Sequence, residues 1–189
     1  RGGYKQARKQ ILATLEQFSK HPLLVLNGLT GVGKSCLLEE LTQEGVPTIH
    51  FEKLAHHRGS TFGDIGQERP PSTQQTFENK LADSYLNVQS SKRILVEIEN
   101  IIGPVRLSKN IRGALLRSPM VLLESPLEDR IHLLKKLYSS NWNEKKHALV
   151  KKRLERLERW ISKQEYAEIF SKLNQLDFNF VIKKLLELR

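Results

Sequence analysis

The apolar positions of this chain repeat with two different periods, and the switch between them lays out its elements. Over residues 4–20, Ile11, Leu12, Leu15 and Phe18 fall on one side of a helix, with Lys5, Arg8 and Lys9 on the other. His21-Pro22 ends that helix, because a residue before proline is pushed out of helical geometry. Leu23-Leu24-Val25-Leu26 is a short apolar run of buried-strand type. Cys36 to Leu41 then reads as helical, ending near Gly45, and Val46 to Phe51 predicts a second short strand. Thr73 to Val88 predicts a helix with Phe77, Leu81, Tyr85 and Val88 on one face. Ile94-Leu95-Val96 is a third apolar run, Ile101-Ile102-Gly103-Pro104 a turn, and residues 108–117 a short helix carrying Lys109, Arg112 and Arg117. Met120 to Glu124 is a fourth strand, closed by Ser125-Pro126, and a helix opening at Leu127-Glu128-Asp129-Arg130 runs towards Tyr138.

Strands near 23, 48, 95 and 121 separated by helices describe an α/β sheet with right-handed crossovers. No glycine or proline follows Pro126, and from about residue 143 the pattern is wholly helical. There Val150, Leu154, Leu157 and Ile161 form an apolar stripe, while Lys151, Lys152, Arg153, Arg156 and Arg159 take the other faces. Two shorter helices are expected around 165–175 and 178–188.

Composition adds a partner class. The 189 residues carry a net charge of +10, and residues 130–189 hold 15 Lys and Arg against 7 Asp and Glu. The excess positive charge therefore belongs to the C-terminal third, where it suits either a polyanion such as nucleic acid or a plain solvated helical face. The single cysteine, Cys36, excludes an intramolecular disulfide and a four-cysteine metal site, and its place after the loop predicts a core-facing structural thiol. No apolar run approaches the roughly 18 residues that span a bilayer, and no signal peptide is visible. The expected setting is the reducing cytoplasm, without a membrane partner. A chain that opens on Arg1 rather than Met is expected to be a piece of a longer protein.

The chemistry centres on Gly28-Leu29-Thr30-Gly31-Val32-Gly33-Lys34-Ser35, which fits the phosphate-binding pattern G-x-x-x-x-G-K-[ST], or Walker A. In that pattern Gly28, Thr30, Gly31 and Gly33 turn backbone N–H groups around phosphate oxygens at a helix N-terminus. Lys34 adds a full charge, and the Ser35 hydroxyl is a natural Mg²⁺ ligand. The fold class that follows is a P-loop NTPase-like parallel sheet flanked by helices over residues 1–139, with a leading helix over 1–20. Residues 140–189 form an all-helical basic C-terminal appendage.

Two further stretches bear on the site. Residues 52–72 predict a long loop, rich in Gly, Pro and polar residues, in which His56, His57 and Arg58 offer donors for phosphate or a base edge. Adjacent histidines do not easily face one metal, so a zinc site is not expected there. Glu97 and Glu99 close the third apolar run and share a strand face by the period of two. They suit either a Walker B-like acid acting with Mg²⁺ or a pair of surface carboxylates. Arg130 is a candidate to reach the phosphates, or a helix-surface arginine.

Taken together, these residues resemble the phosphate-loop domain of the bacterial tRNA 2-selenouridine synthases. Leu54-Ala55-His56-His57-Arg58-Gly59-Ser60-Thr61-Phe62-Gly63 is similar to the family's L-A-x-H-R-G-S-x-F-G at every fixed position. Phe77-Glu78-Asn79 resembles its F-E-N, and Val96 to Asn100 with Ile102-Gly103 resembles its E-D-E-S…I-G. Arg1-Gly2-Gly3-Tyr4-Lys5 is similar to the junction after the family's rhodanese-like domain. The likeness is good over residues 1–138, and beyond that only helical character agrees. Ile98 and Asn100 stand where the family has Asp and Ser, so the acidic role rests on Glu97 and Glu99. The rhodanese-like domain and its selenium-transferring cysteine have no counterpart in this chain, and Cys36 is misplaced to serve.

The resemblance implies a transferase acting on the wobble 2-thiouridine of tRNA. Geranyl diphosphate would alkylate the sulfur, and selenophosphate would then replace the S-geranyl group. Lys34, Arg58 and Glu97 would be catalytic, Ser35 and Glu97 would hold Mg²⁺, and His57, Arg58, Gly59, Ser60, Phe62 and Gly63 would form the substrate loop. Lys151, Lys152, Arg153, Arg156 and Arg159 would bind tRNA phosphates. A wobble base also needs a stacking or edge contact, for which Arg58, His57, Tyr138 and Trp142 are possible donors. A rhodanese-like domain is the implied partner, in cis or in trans. Two alternatives stand beside this: an ATP- or GTP-dependent kinase or NTPase, and a non-catalytic tRNA-binding module.

Overall fold

In the computed structural model, which describes residues 3–99 and 101–188, the first fold-defining feature is the sheet. Strands β1 (Leu23–Asn27), β2 (Thr48–Ile49), β3 (Ile94–Glu97) and β6 (Met120–Leu122) form one parallel sheet in the order β2-β3-β1-β6. Helices α1 (Tyr4–Phe18), α2 (Lys34–Gln43), α3 (Phe51–Ala55), α4 (Gln74–Val88) and α5 (Lys109–Arg117) accompany it. The chain divides into two compact units. Arg1–Gly28 with Lys34–Leu123 form the first, and Leu29–Gly33 with Glu124–Arg189 the second.

In the first unit the strand period of two sorts residues to two layers. Leu23, Val25, Ile49, Ile94 and Val96 join the main core with Phe18, Phe51, Phe77 and Leu81. Leu26 and Leu95 pack instead with Leu38 of α2. Glu97, two residues after Leu95, therefore lies on the α2 side. Its pairing with Leu26 sets it level with the end of β1, where the glycine loop departs. The leading helix is tied down by Arg8 pairing with Glu78 of α4, so the Phe77-Glu78 pair serves the core and an ion pair.

Several elements differ from the sequence expectation. The strand predicted over Val46–Phe51 keeps only Thr48–Ile49. Pro47 has no N–H for a ladder, and Phe51 already opens α3. The predicted loop of 52–72 thus begins as a helix, and its far end is fastened to that helix where Ser72 donates to Ala55 and Leu54 carbonyls. The 101–104 turn is the tip of a hairpin of β4 (Ile101–Ile102) and β5 (Val105–Arg106), with Gly103 at φ +60°. Cys36 is exposed, not core-facing. It lies two positions, or about 200° of helix, from the buried Leu38, so α2 turns it away from the sheet.

The second unit is helical: α6 (Leu127–Ser139), α7 (Glu144–Glu155), a 3₁₀ turn (Glu158–Trp160), α8 (Lys163–Asn174) and α9 (Phe178–Glu187). Ile131 and Leu134 pack with Ile182, Tyr138 and Phe178. The expected apolar stripe is buried at Val150 and Leu154 but stops there, because α7 ends at Glu155. Each of the last three helices has a side-chain cap, from Asn143, Ser162 and Asp177. Among the described residues no helix is long and apolar enough to cross a membrane.

Candidate functional site

The site of the first unit is a set of charges gathered where β3, α2 and α3 begin or end. Lys34 and Ser35 open α2, and the Lys34 ammonium donates to the Gly28 carbonyl at 2.7 Å. The Ser35 hydroxyl donates to Glu52 Oε2 at 3.0 Å. Glu52 sits in the first turn of α3, and its backbone N–H donates to Glu97 Oε1 at 2.8 Å. Glu97 is 1% exposed, and its second oxygen, Oε2, is buried without a hydrogen-bond partner among the described residues. Burial, then the nearby Glu52 charge, push the Glu97 carboxyl up to about 8. Burial also raises Glu52, against the Ser35 hydrogen bond and the charges of Lys34 and Arg58.

Glu52 is the residue that sequence reasoning missed. Its only signal was an acid directly after the second apolar run, which is also where Glu97 stands in the third. Glu99 belongs to the same neighbourhood although β3 ends at Glu97 and leaves no strand face for the two to share. Gly59 explains how the three acids fit together. It has φ +68°, and a Cβ added there would lie 2.9 Å from Glu52 Oε1 and 3.3 Å from both Glu99 oxygens. Only glycine lets the backbone pass so close.

The rest of the His57–Gly63 loop closes on itself. The Arg58 N–H donates to Gly63 O, Gly63 N–H to Ser60 O, and Phe62 N–H to Ser60 Oγ. The Arg58 guanidinium donates to the buried Ile65's carbonyl at 2.8 Å. His57 is buried, with its ring against the backbones of Gly63 and Gly103. His56 faces elsewhere, between Pro70 O and the Lys80 ammonium.

In the second unit, the interior of the glycine loop is held by α6. The Arg130 Nε–H donates to the Thr30 carbonyl at 2.9 Å. Gly31, at φ +82°, brings its backbone so near α6 that a Cβ would lie 3.0 Å from Leu134 and 3.1 Å from Arg130 O. Gly33 also has positive φ, at +94°. Of the basic residues on and after α7, Lys152, Arg156 and Arg159 are exposed, whereas Lys151 and Arg153 are half-buried. The Lys151 ammonium lies 4.9 Å from the centre of the Phe170 ring. Trp142 packs against Phe178 and His147. Asn100 lies outside the described residues, as do Arg1 and Gly2 of the junction motif.

Comparison with known proteins places the chain in a family. The family model described as the tRNA 2-selenouridine synthase AAA domain matches residues 21–185. The chain belongs to that family. The match runs to the last helix, beyond the 138 residues over which the motifs are recognisable. A tRNA 2-selenouridine synthase of Nitrosomonas eutropha is 38% identical over 135 residues, which cover 69% of this chain and 34% of the relative. That of Cronobacter sakazakii is 34% identical over 145 residues, covering 72% and 37%. That of Psychromonas ingrahamii is 32% identical over 146 residues, covering 76% and 38%. The chain thus spans little more than a third of the length of the curated relatives it matches. No solved structure matches it.

Proposed function

We propose that this chain is the diphosphate-handling part of a tRNA-modifying transferase, which S-geranylates wobble 2-thiouridine and supports its conversion to 2-selenouridine with selenophosphate. One observation carries the reading. In a chain of this family, the buried carboxylate of Glu97 stands with Glu52 and Ser35 at the end of the phosphate-loop motif.

In the first step the thione sulfur attacks the allylic carbon of geranyl diphosphate. A C–S bond forms, the C–O bond breaks and pyrophosphate departs, while the base loses its N–H proton. Charge develops on the departing oxygens, which is where loop N–H groups and the Lys34 ammonium stabilise it. Arg58 adds a second cation beside Glu52. The donor set fits Mg²⁺ once Glu97 releases its proton to the cation's charge: hydroxyl and carboxylate oxygens, with Glu97 Oε2 buried and without a hydrogen-bond partner among the described residues. Ser35, Glu97 and Glu52 would hold it, and when bound it supplies Lewis acidity towards phosphate oxygens. Among the described residues no three His, Cys, Asp or Glu side chains are arranged to hold a metal by themselves. Selenophosphate would enter in the second step, with a rhodanese-like domain, in cis or in trans, as its partner. The basic helices bind tRNA phosphates near the anticodon, in the cytoplasm.

Incubating the chain with 2-thiouridine tRNA, geranyl diphosphate and Mg²⁺ should give a lipophilic tRNA heavier by one geranyl group in mass spectrometry. Lys34→Ala should abolish it. Turnover of ATP or GTP without tRNA would favour a kinase or NTPase instead. Salt-dependent tRNA binding with no alkylation would favour a binding module.

A further inference from the structure

Among the described residues of the second unit, one large aromatic side chain is left in water. Trp160 is 73% exposed, on the 3₁₀ turn between α7 and α8. Trp142, the other tryptophan, is packed edge-on against Phe178 at 4.7 Å between ring centres. At Trp160 the largest apolar side-chain type the chain has is thus left mostly in contact with water, where it is free to receive a partner.

The turn that carries it is built. The Trp160 backbone N–H donates to Leu157 O at 2.8 Å. Two residues on, Ser162 starts α8 with a reciprocal cap, its side chain accepting from Glu165 N–H while Glu165 accepts from Ser162 N–H. The backbone that carries the indole is thus held at a defined corner. The Arg159 guanidinium lies over its ring, 5.3 Å from the centroid. An open cleft of about 660 Å³ beside the turn is lined by Arg156, Arg159 and Lys163 together with Glu155 and Glu158. A flat aromatic face with a guanidinium over it, beside a cleft where three cations outnumber two acids and in the part of the chain holding most of the excess positive charge, matches one ligand chemistry. It is that of an unpaired nucleotide, whose base stacks and whose phosphates meet cations.

We infer that Trp160 is a stacking platform for an unpaired base of RNA, with Arg156, Arg159 and Lys163 steadying the adjoining phosphates. The inference rests on the tRNA reading above and goes beyond it by naming the base contact. Phosphate contacts position an RNA; a stacked base selects unpaired over paired segments.

The test uses the whole chain with Trp142→Phe, so that Trp160 is the sole tryptophan emitter. Titration with decauridylate should quench its fluorescence saturably, and a duplex RNA of equal length should quench it much less. Trp160→Ala should weaken decauridylate binding by about tenfold or more, while Trp160→Phe keeps most of the affinity. Trp160→Ala should leave the slope of log affinity against log salt unchanged, whereas Arg156→Ala with Arg159→Ala should reduce it by about 1 to 2. Equal quenching by duplex and single strand, or unaltered single-strand affinity in Trp160→Ala, would overturn the platform while leaving tRNA binding intact. If neither RNA nor whole tRNA binds, the tRNA reading fails as well.

Discussion

The Glu52 backbone N–H donates to Glu97 Oε1 at 2.8 Å, so the first turn of α3 is fastened to an acid buried at the end of β3. The pair stores a pH dependence. Burial and the Glu52 charge raise the Glu97 carboxyl from an ordinary value of 4.5 to about 8. The folded state therefore holds a proton that the unfolded chain has already released between those limits. That stabilisation is fully present below about 4.5 and is lost as pH rises through 8. Stability should fall across this window by up to about 1.4 kcal/mol per pH unit, with Glu52 acting in the same direction. Urea unfolding at several pH values should show the slope in the parent and a much flatter line in Glu97→Gln. Parallel slopes would remove Glu97 as the cause.

Ser35 touches the same pair through its hydrogen bond to Glu52 Oε2. Ser35→Ala removes a charge-assisted bond and one oxygen donor, and Lys34→Ala removes the ammonium of the loop. Calorimetric titration with pyrophosphate and Mg²⁺ should show roughly a tenfold loss of affinity for Ser35→Ala and a larger loss for Lys34→Ala. Glu52→Gln should weaken binding in the presence of Mg²⁺ more than in its absence. Equal effects in both conditions would mean that Glu52 does not serve the cation.

Gly59 and Gly45 separate backbone strain from crowding. Both have positive φ, +68° and +82°, but only at Gly59 would a Cβ meet carboxylate oxygens; Gly45 opens on empty space. Gly45→Ala should cost about 1 to 2 kcal/mol, the strain of a left-handed residue. Gly59→Ala should cost more in urea unfolding, and should also weaken Mg²⁺-pyrophosphate binding because Glu52 must move. If the two substitutions were equal in stability and both bound pyrophosphate normally, the acids would not depend on Gly59.

How legible was this from the chain? The four strands, the glycine loop and the acid at Glu97 are local signals, written as an apolar run with its flanking residues. The family, too, is carried by contiguous motifs, chiefly the loop at Leu54–Gly63. What was hidden depends on pairing between distant segments. Glu52 and Glu97 are 45 positions apart, and only the adjacency of β2 and β3 brings the start of α3 to the end of β3. In the same way His57 reads as a polar donor between a histidine and an arginine. Its ring is covered on one side by Gly103 of the β4–β5 hairpin, which no periodicity connects to it. Cys36 failed for a simpler reason, since the short helical run from Cys36 to Leu41 does not define a face until the sheet selects one.

His57 and Gly103 give the last prediction. A Cβ on Gly103 would lie 2.5 Å from His57 Cδ2, and one on Gly63 would lie 2.7 Å from Cε1 of the same ring. The imidazole is therefore a spacer clamped between two glycine backbones, holding the Arg58-bearing loop to the hairpin. Gly103→Ala should be strongly destabilising, by about 2 to 4 kcal/mol, from overpacking added to the strain of φ +60°. His57→Ala should also destabilise, by loss of packing. In the double variant the small side chain vacates the space that the new methyl needs, so the two costs should not add. A double-mutant cycle in urea should give a coupling of about 1 kcal/mol or more in the compensating direction. Strict additivity would mean that the ring does not meet Gly103, and that the loop is held by its own hydrogen bonds alone.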